Sequence, residues 1–157
     1  MTIEDFKGLM DGFEPASLLP ELEPILGKLA MCARIAVLIG PAALLVMGLL
    51  YFFASPKEAN YYFGYRCYYG MGSVEAWQFT QSLAGIVWCA LGLIFGIVML
   101  VISGKFPQLE TMDLLWKAAY CVLWEAGITA LACIGINTVV AIRYDSKGIP
   151  RRKTRHT

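Results

Sequence analysis

Three long apolar stretches dominate the pattern of hydrophobic and polar positions along the chain. Residues 35–54 and 82–103 contain no charged side chain, and residues 118–142 contain a single acid, Glu125. About 20 consecutive apolar residues are enough for a helix to cross the hydrocarbon core of a bilayer. The pattern therefore predicts an all-α integral membrane protein with three transmembrane helices and a short N-terminal amphipathic segment.

The same pattern divides the chain into six predicted segments. An amphipathic, acidic N-terminal segment is predicted at residues 1–30. The others are transmembrane helix 1 at 31–55, a loop with the start of helix 2 at 56–81, transmembrane helix 2 at 82–103, a short loop with transmembrane helix 3 at 104–142, and a basic, disordered tail at 143–157. Three crossings place the two termini on opposite sides of the membrane.

Apolar residues recur at helical spacing near the N-terminus, between Phe6 and Phe13, and predict one or two amphipathic turns. Three prolines, Pro15, Pro20 and Pro24, are then expected to break the helix into short pieces. Two roles are open for this segment. It is either a short interfacial helix that packs on the rest of the protein or a docking element for a partner.

Composition and charge narrow the function classes. Charged residues make up only 16% of the chain, whereas soluble domains carry roughly a quarter. A net charge of +1 creates no field that would recruit nucleic acid. The five cysteines lack metal-ligand spacing and His156 is the only histidine, so neither a metal centre nor a cofactor is expected. Motifs such as GxSxG, HExxH and the P-loop are absent, so we expect no enzyme.

Lysine and arginine residues set the predicted orientation. Six lie after the third apolar stretch and two lie in the first loop, which gives eight on one side against five on the other. The positive-inside rule then predicts a multi-pass protein of the cell membrane. Its C-terminus and first loop would face the cytoplasm, and its N-terminus would lie outside.

The first loop contains a recognisable helix start. Ser73 suits an N-cap, and Glu75 falls in the first turn, where the helix dipole favours an acid. Trp77 and Gln81 follow at a spacing that places both on one helix face. Helix 2 is therefore predicted to begin about two turns before its apolar stretch, with Trp77 near the level of the lipid headgroups.

Ten positions in and after this loop form a pattern of small, aromatic and charged residues: Gly64, Tyr65, Arg66, Met71, Ser73, Glu75, Ala76, Trp77, Gln81 and Gly85. This pattern, with the helices that follow it to about residue 142, resembles the SdpI family. The family usually has threonine directly after the arginine, where this chain has Cys67. The resemblance implies a bacterial membrane protein that acts by binding, in immunity to a peptide toxin or in signalling, with a cytoplasmic loop.

Arg66 has two opposing interpretations. Its guanidinium offers five donors in a planar fork, which suits a lipid phosphate or an acidic partner, with Trp77 anchoring the site. Alternatively, Arg66 pairs with Glu75 or caps helix carbonyls and so holds the loop onto helix 2.

Glu125 lies about halfway along the third apolar stretch. An ionisable group at that depth costs several kcal/mol unless it is paired or protonated, which makes it a functional candidate. It is a proton or cation site, a contact for a partner's helix, or a neutral carboxyl hydrogen-bonded across the bundle. Small residues around it, and the Gly92-x-x-x-Gly96 pattern, predict that helices 2 and 3 pack tightly or contact another subunit.

Three functions are therefore open. They are an SdpI-like binding protein, a small ion-coupled transporter that uses Glu125, and an accessory subunit of a larger membrane complex. The expected partners are the lipid bilayer, a second copy or another membrane protein, and a peptide toxin. The candidate binding residues are Arg66, Tyr65, Glu75, Trp77, Gln81 and Glu125.

Overall fold

The computed structural model describes residues 19–59 and 62–151, and the side chains of 19–26 lie outside that description. It contains three long helices: α1 (Leu19–Phe53), α2 (Val74–Ser103) and α3 (Thr111–Arg143). Each is long and apolar enough to cross a membrane. Most of their large apolar side chains are exposed, as expected where lipid rather than water surrounds the helices. The predicted all-α membrane fold is confirmed.

The first helix begins earlier than predicted and is continuous from Leu19. The prediction that Pro20 and Pro24 break it is wrong. Pro20 is the second residue of the helix, where a backbone N–H would have no intrahelical partner in any case. Pro24 removes only one bond of the first turns. The predicted amphipathic turns before residue 14, and Pro15, lie outside the described residues.

Glycines bring α1 and α2 into close contact. A β-carbon added at Gly92 would lie 2.7 Å from the backbone nitrogen of Leu45, and one added at Gly85 would lie 3.0 Å from the carbonyl oxygen of Gly48. Side chains that small let two helix backbones approach each other. The prediction that helices 2 and 3 form the tight pair is therefore wrong, because Gly92 packs against α1.

The third helix packs more loosely along its length. Its buried residues fall into two groups near its ends and one acid between them. Leu114 and Cys121 join a cluster with Val37 of α1, and Ile136 and Val140 join a cluster at the opposite end of the bundle. A β-carbon at Gly127 or Gly135 would meet no atom within 4 Å. These small positions of α3 are therefore open within the described chain.

A short connection joins α2 to α3 through a 3₁₀ turn, Phe106–Gln108. Phe106 is almost fully buried and packs with the cluster around Val37. The motif loop, residues 54–73, joins α1 to α2 at the opposite end of the bundle, where α3 also ends.

The chain forms a tight turn after α3, where a disordered tail was predicted. Tyr144 and Pro150 pair as an antiparallel bridge. The Asp145 side chain accepts hydrogen bonds from the backbone N–H groups of Lys147 (2.9 Å) and Ile149 (2.8 Å), and Gly148 supplies a φ of +72°. The prediction of disorder is thus wrong for residues 144–151, which form the C-terminal turn, and residues 152–157 lie outside the described part.

Candidate functional site

Ser73 fastens three parts of the chain together at the start of α2. Its extended backbone and its Oγ, which accepts from the Ala76 N–H at 3.1 Å, confirm the predicted N-cap. The same hydroxyl donates to the Gly148 carbonyl oxygen at 2.7 Å. The motif loop, α2 and the C-terminal turn therefore meet at one residue.

Gln81 clasps the motif loop from within α2. Its side chain is 1% exposed. The Nε2 amide donates to the Tyr65 carbonyl oxygen at 2.7 Å, while Oε1 accepts from the Tyr65 N–H at 2.8 Å. The Gln81 amide thus makes the same two hydrogen bonds to Tyr65 that a neighbouring β-strand backbone would make. This pairing requires Gly64, whose φ is +118° and whose added β-carbon would lie 2.7 Å from the Trp77 ring.

Trp77 lies beneath the loop. Its side chain is 0% exposed, and its indole Nε1 donates to the Pro56 carbonyl oxygen at 2.8 Å. A buried indole that satisfies its only donor is a packing residue. Because the chain covers the whole ring, Trp77 supports the loop from inside and offers no exposed surface.

Tyr65 connects the same loop to α3. Its hydroxyl lies 3.2 Å from the Cys133 carbonyl oxygen and 3.3 Å from Asn137 Oδ1, and can donate to either. Its ring packs on Trp88 at a centroid distance of 6.1 Å. Burial, with a further contribution from the Cys133 thiol, raises the pKa of the Tyr65 hydroxyl, so this group is a neutral donor at physiological pH.

The Cys67 thiol acts as a hydrogen-bond acceptor within the loop. Its Sγ accepts from the Gly70 N–H at 3.3 Å and lies 4.0 Å from the Thr80 hydroxyl. The 67–71 turn is closed by a backbone bond from the Met71 N–H to the Cys67 carbonyl oxygen. The thiol therefore supplies an acceptor at this turn, although a softer and weaker one than a threonine hydroxyl would be.

Glu75 pairs with the C-terminal turn and not with Arg66. Its Oε1 lies 3.5 Å from the Tyr144 hydroxyl, a long hydrogen bond. Nearby, the Arg143 guanidinium stacks over the Phe79 ring at 4.3 Å. The start of α2 and the end of α3 are thus held together by aromatic and polar contacts.

Arg66 is exposed and makes no hydrogen bond or ion pair with the described residues. The described residues show no pairing of Arg66 with Glu75, and within them Gln81 and Trp77 hold the loop. The Arg66 side chain borders an open groove of about 550 Å³ between the loop and α3. The groove is lined by Arg66, Cys67, Tyr68, Tyr69, Ile134, Asn137, Thr138 and Ala141.

Glu125 stands apart from this loop, about two turns of α3 before Cys133. Its side chain is 7% exposed, and its buried Oε1 has no hydrogen-bond partner. The interpretation of a carboxyl hydrogen-bonded across the bundle is therefore wrong for the described structure. The candidate residues form two separate sites, one at the motif loop and one at Glu125.

Sequence reasoning missed three contributors to the loop site. Asn137 and Thr138 border the groove, and the C-terminal turn supports Ser73. A signal for the turn was present, because Asp145 followed by Gly148 and Pro150 is a typical turn composition. Nothing in the sequence indicated that this turn contacts the start of α2.

These features define a class: a multi-spanning α-helical membrane protein with a loop fastened across two of its helices. The described residues hold no cluster of three or more metal-ligating side chains. The model of the SdpI/YfhL protein family matches residues 57–144, which is more than half of the chain. The chain therefore belongs to the SdpI/YfhL family. No curated protein and no solved structure matches it significantly.

Proposed function

We propose that this protein acts by binding a partner at the Arg66 groove, in immunity to a membrane-active peptide toxin or in signalling that follows contact with one. One observation carries the proposal. Arg66 is exposed beside an open groove and makes no hydrogen bond or ion pair with the described residues, while the other polar residues of the motif are used in internal contacts. The motif thus builds a rigid platform that presents one cation.

The groove chemistry favours an acidic or carbonyl-rich segment of a peptide or membrane protein. A guanidinium recognises a carboxylate through two parallel hydrogen bonds. Asn137 directs its Oδ1 at the Tyr65 hydroxyl, 3.3 Å away, which leaves its amide donors for a ligand. The exposed Tyr68 ring adds a rigid aromatic surface of the kind enriched at binding interfaces.

Charge and geometry support a cytoplasmic position for this groove. The motif loop and the C-terminal turn lie at the same end of the bundle, joined through Ser73 and Gly148. In the described chain that end carries five of the eight lysine and arginine residues of the more basic side: Lys57, Arg66, Arg143, Lys147 and Arg151. We infer that the N-terminus lies outside, and a thiol-reactive, membrane-impermeant label should react with a cysteine placed at Ser146 only after cells are opened.

Survival assays test the function. Cells that express the protein should survive challenge by at least one of a panel of secreted, membrane-active peptides better than cells with an empty vector. The Arg66→Ala variant should lose this protection, and Arg66→Lys should retain only part of it, because an ammonium cannot form the bidentate pair. Lys57→Ala is the matched control, since Lys57 is an exposed cation of the same loop.

The membrane level of each variant is measured by immunoblotting, so that loss of protection is separated from loss of protein. Equal protection by Arg66→Ala and the wild type would remove Arg66 from the site. If the protein protects against no peptide of the panel, the immunity role is overturned. Binding of a signalling partner at the groove is then tested instead. In that case crosslinking from Tyr68 should capture a membrane partner in the wild type but not in Arg66→Ala.

Self-association is a further proposal that the fold supports. Gly127 and Gly135 of α3 are open on a helix that already packs loosely. Small residues on a lipid-facing surface allow a second helix to approach closely. Chemical crosslinking in membranes should then give a dimer or a larger band.

A further inference from the structure

Glu125 lies where all three helices come together, away from the Arg66 groove. Its Oε2 points at Gly40 of α1 so closely that a methyl group added at Gly40 would overlap the carboxyl oxygen. On the other side it borders Phe95 and Met99 of α2. The other titratable side chains beside it are those of Cys121 and Tyr120 on α3. No lysine or arginine of the described chain pairs with it.

Two clefts flank the carboxyl and open toward the sides of the bundle. The cleft between α1 and α3 has a volume of about 310 Å³ and is lined mainly by small and aliphatic residues. The cleft between α2 and α3 has a volume of about 380 Å³ and includes Phe95, Tyr120 and Trp124. Both volumes fall in the range of roughly 300–1,000 Å³ that is typical of ligand sites.

We propose that Glu125 and these clefts form an intramembrane site for a lipophilic organic cation, such as a quaternary ammonium or phosphonium with apolar substituents. A carboxyl oxygen that is buried without a hydrogen-bond partner is unsatisfied, and a cation placed beside it would supply the attraction that the described chain does not offer. Aliphatic and aromatic walls surround it with surface that only an apolar ligand covers well. The site is independent of the Arg66 groove.

The same walls disfavour a hydrated metal ion. Ions such as Na⁺, Mg²⁺ and Ca²⁺ need several oxygen ligands, and the described residues gather no cluster of acidic or other metal-ligating side chains around Glu125. The charge of a lipophilic organic cation is already surrounded by its own apolar substituents, so the cation needs only one opposite charge and no set of oxygen ligands. The faces of Trp124 and Tyr120 would add cation–π attraction.

Binding of tetraphenylphosphonium to the protein in nanodiscs of zwitterionic lipid tests the site. We expect saturable binding in excess of that to protein-free nanodiscs. Tetraphenylborate, which has the same shape and the opposite charge, should show no saturable excess. Glu125→Gln should weaken phosphonium binding about tenfold or more, as the loss of a charged partner does elsewhere.

Three variants complete the test. Asp113→Asn removes an exposed acid of the same helix outside the clefts, and Arg66→Ala alters the other site; both should bind phosphonium like the wild type. Trp124→Leu, at a side chain that is 67% exposed and so dispensable for folding, should weaken binding about two- to fivefold.

Unchanged binding by Glu125→Gln, saturable binding of tetraphenylborate, or no excess over protein-free nanodiscs would each overturn the proposal. If Glu125→Gln does not accumulate as folded protein, unchanged binding by Trp124→Leu overturns it instead. Because Arg66→Ala should affect survival and not phosphonium binding, failure of one proposal is distinguishable from failure of the other.

Discussion

Replacing Gln81 with leucine is expected to release the motif loop from α2. Leucine has a similar volume, so it fills the buried space but makes neither of the two bonds to Tyr65. In the wild type the side-chain amide accepts from the Tyr65 N–H at 2.8 Å and donates to the Tyr65 carbonyl oxygen at 2.7 Å. Both distances are those of good hydrogen bonds.

The magnitude follows from the loss of both partners at once. Each net hydrogen bond contributes about 1 kcal/mol, and a buried group left without a partner costs about 1–3 kcal/mol. Tyr65 is only partly buried, so water replaces some of the lost bonding. We therefore expect Gln81→Leu to lower the free energy of unfolding by about 2–4 kcal/mol.

A neighbouring glutamine provides the control. Gln78 is exposed, and its Nε2 donates a single long bond of 3.3 Å to the Lys57 carbonyl oxygen. Gln78→Leu should change the free energy of unfolding by about 0.5 kcal/mol or less, as surface substitutions usually do. The two variants thus make the same chemical change at a buried and at an exposed position of one helix.

The free energies are measured by titrating the protein from mild detergent into sodium dodecyl sulfate and following its tryptophan fluorescence. Trp77, one of four tryptophans, lies against the loop, so release of the loop changes part of the emission. If Gln81→Leu is no less stable than Gln78→Leu, the amide clasp does not hold the loop, and the role assigned to Gln81 is refuted.

Two further pairs of variants test the packing and the turn. Gly92→Ala should destabilise the protein by about 1–3 kcal/mol, because the added methyl group would meet the α1 backbone, whereas Gly127→Ala should be neutral or stabilising by up to about 1 kcal/mol; the same detergent titration distinguishes them. Cys67→Val should cost about 1 kcal/mol through loss of the acceptor for the Gly70 N–H, and Cys67→Thr should restore it; a Cys67→Val variant as stable as the wild type would show that the thiol contributes nothing as an acceptor.

The order of helices and loops in this protein is determined by short stretches of its sequence. An apolar stretch of sufficient length forms a helix in a bilayer because every backbone polar group must be satisfied within it. The start of α2 is equally local, since Ser73 caps the backbone a few residues ahead of it. These features were predicted from the sequence for that reason.

The start of α1 was not predictable in the same way. Proline is tolerated within the first turns of a helix, and even Pro41, in the middle of α1, does not end it. Pro20 and Pro24 fall in those turns only because α1 begins at Leu19. The effect of a proline therefore depends on where the helix begins. The sequence pattern predicted that helix 1 begins at residue 31, whereas α1 begins at Leu19.

The roles of the motif residues depended on tertiary contacts. Arg66 and Gln81 are both polar residues of the same motif, yet Arg66 is exposed beside a groove and Gln81 is buried against Tyr65. Their positions relative to α3 follow from how the loop crosses the bundle, which involves contacts between residues far apart in sequence. A pattern of residue types cannot distinguish a polar residue that holds the loop in place from one that is exposed on its surface.

The sequence by itself determined that this is a three-helix membrane protein of the SdpI/YfhL family with a capped start to α2. The tertiary structure decided which glycines pack, which polar residue of the motif is exposed beside a groove, and that Oε1 of Glu125 is enclosed without a hydrogen-bond partner. The physical reason is the distance along the chain over which each interaction acts. Hydropathy and capping act over a few residues, whereas helix pairing and burial of a polar group depend on segments that meet only in the folded bundle.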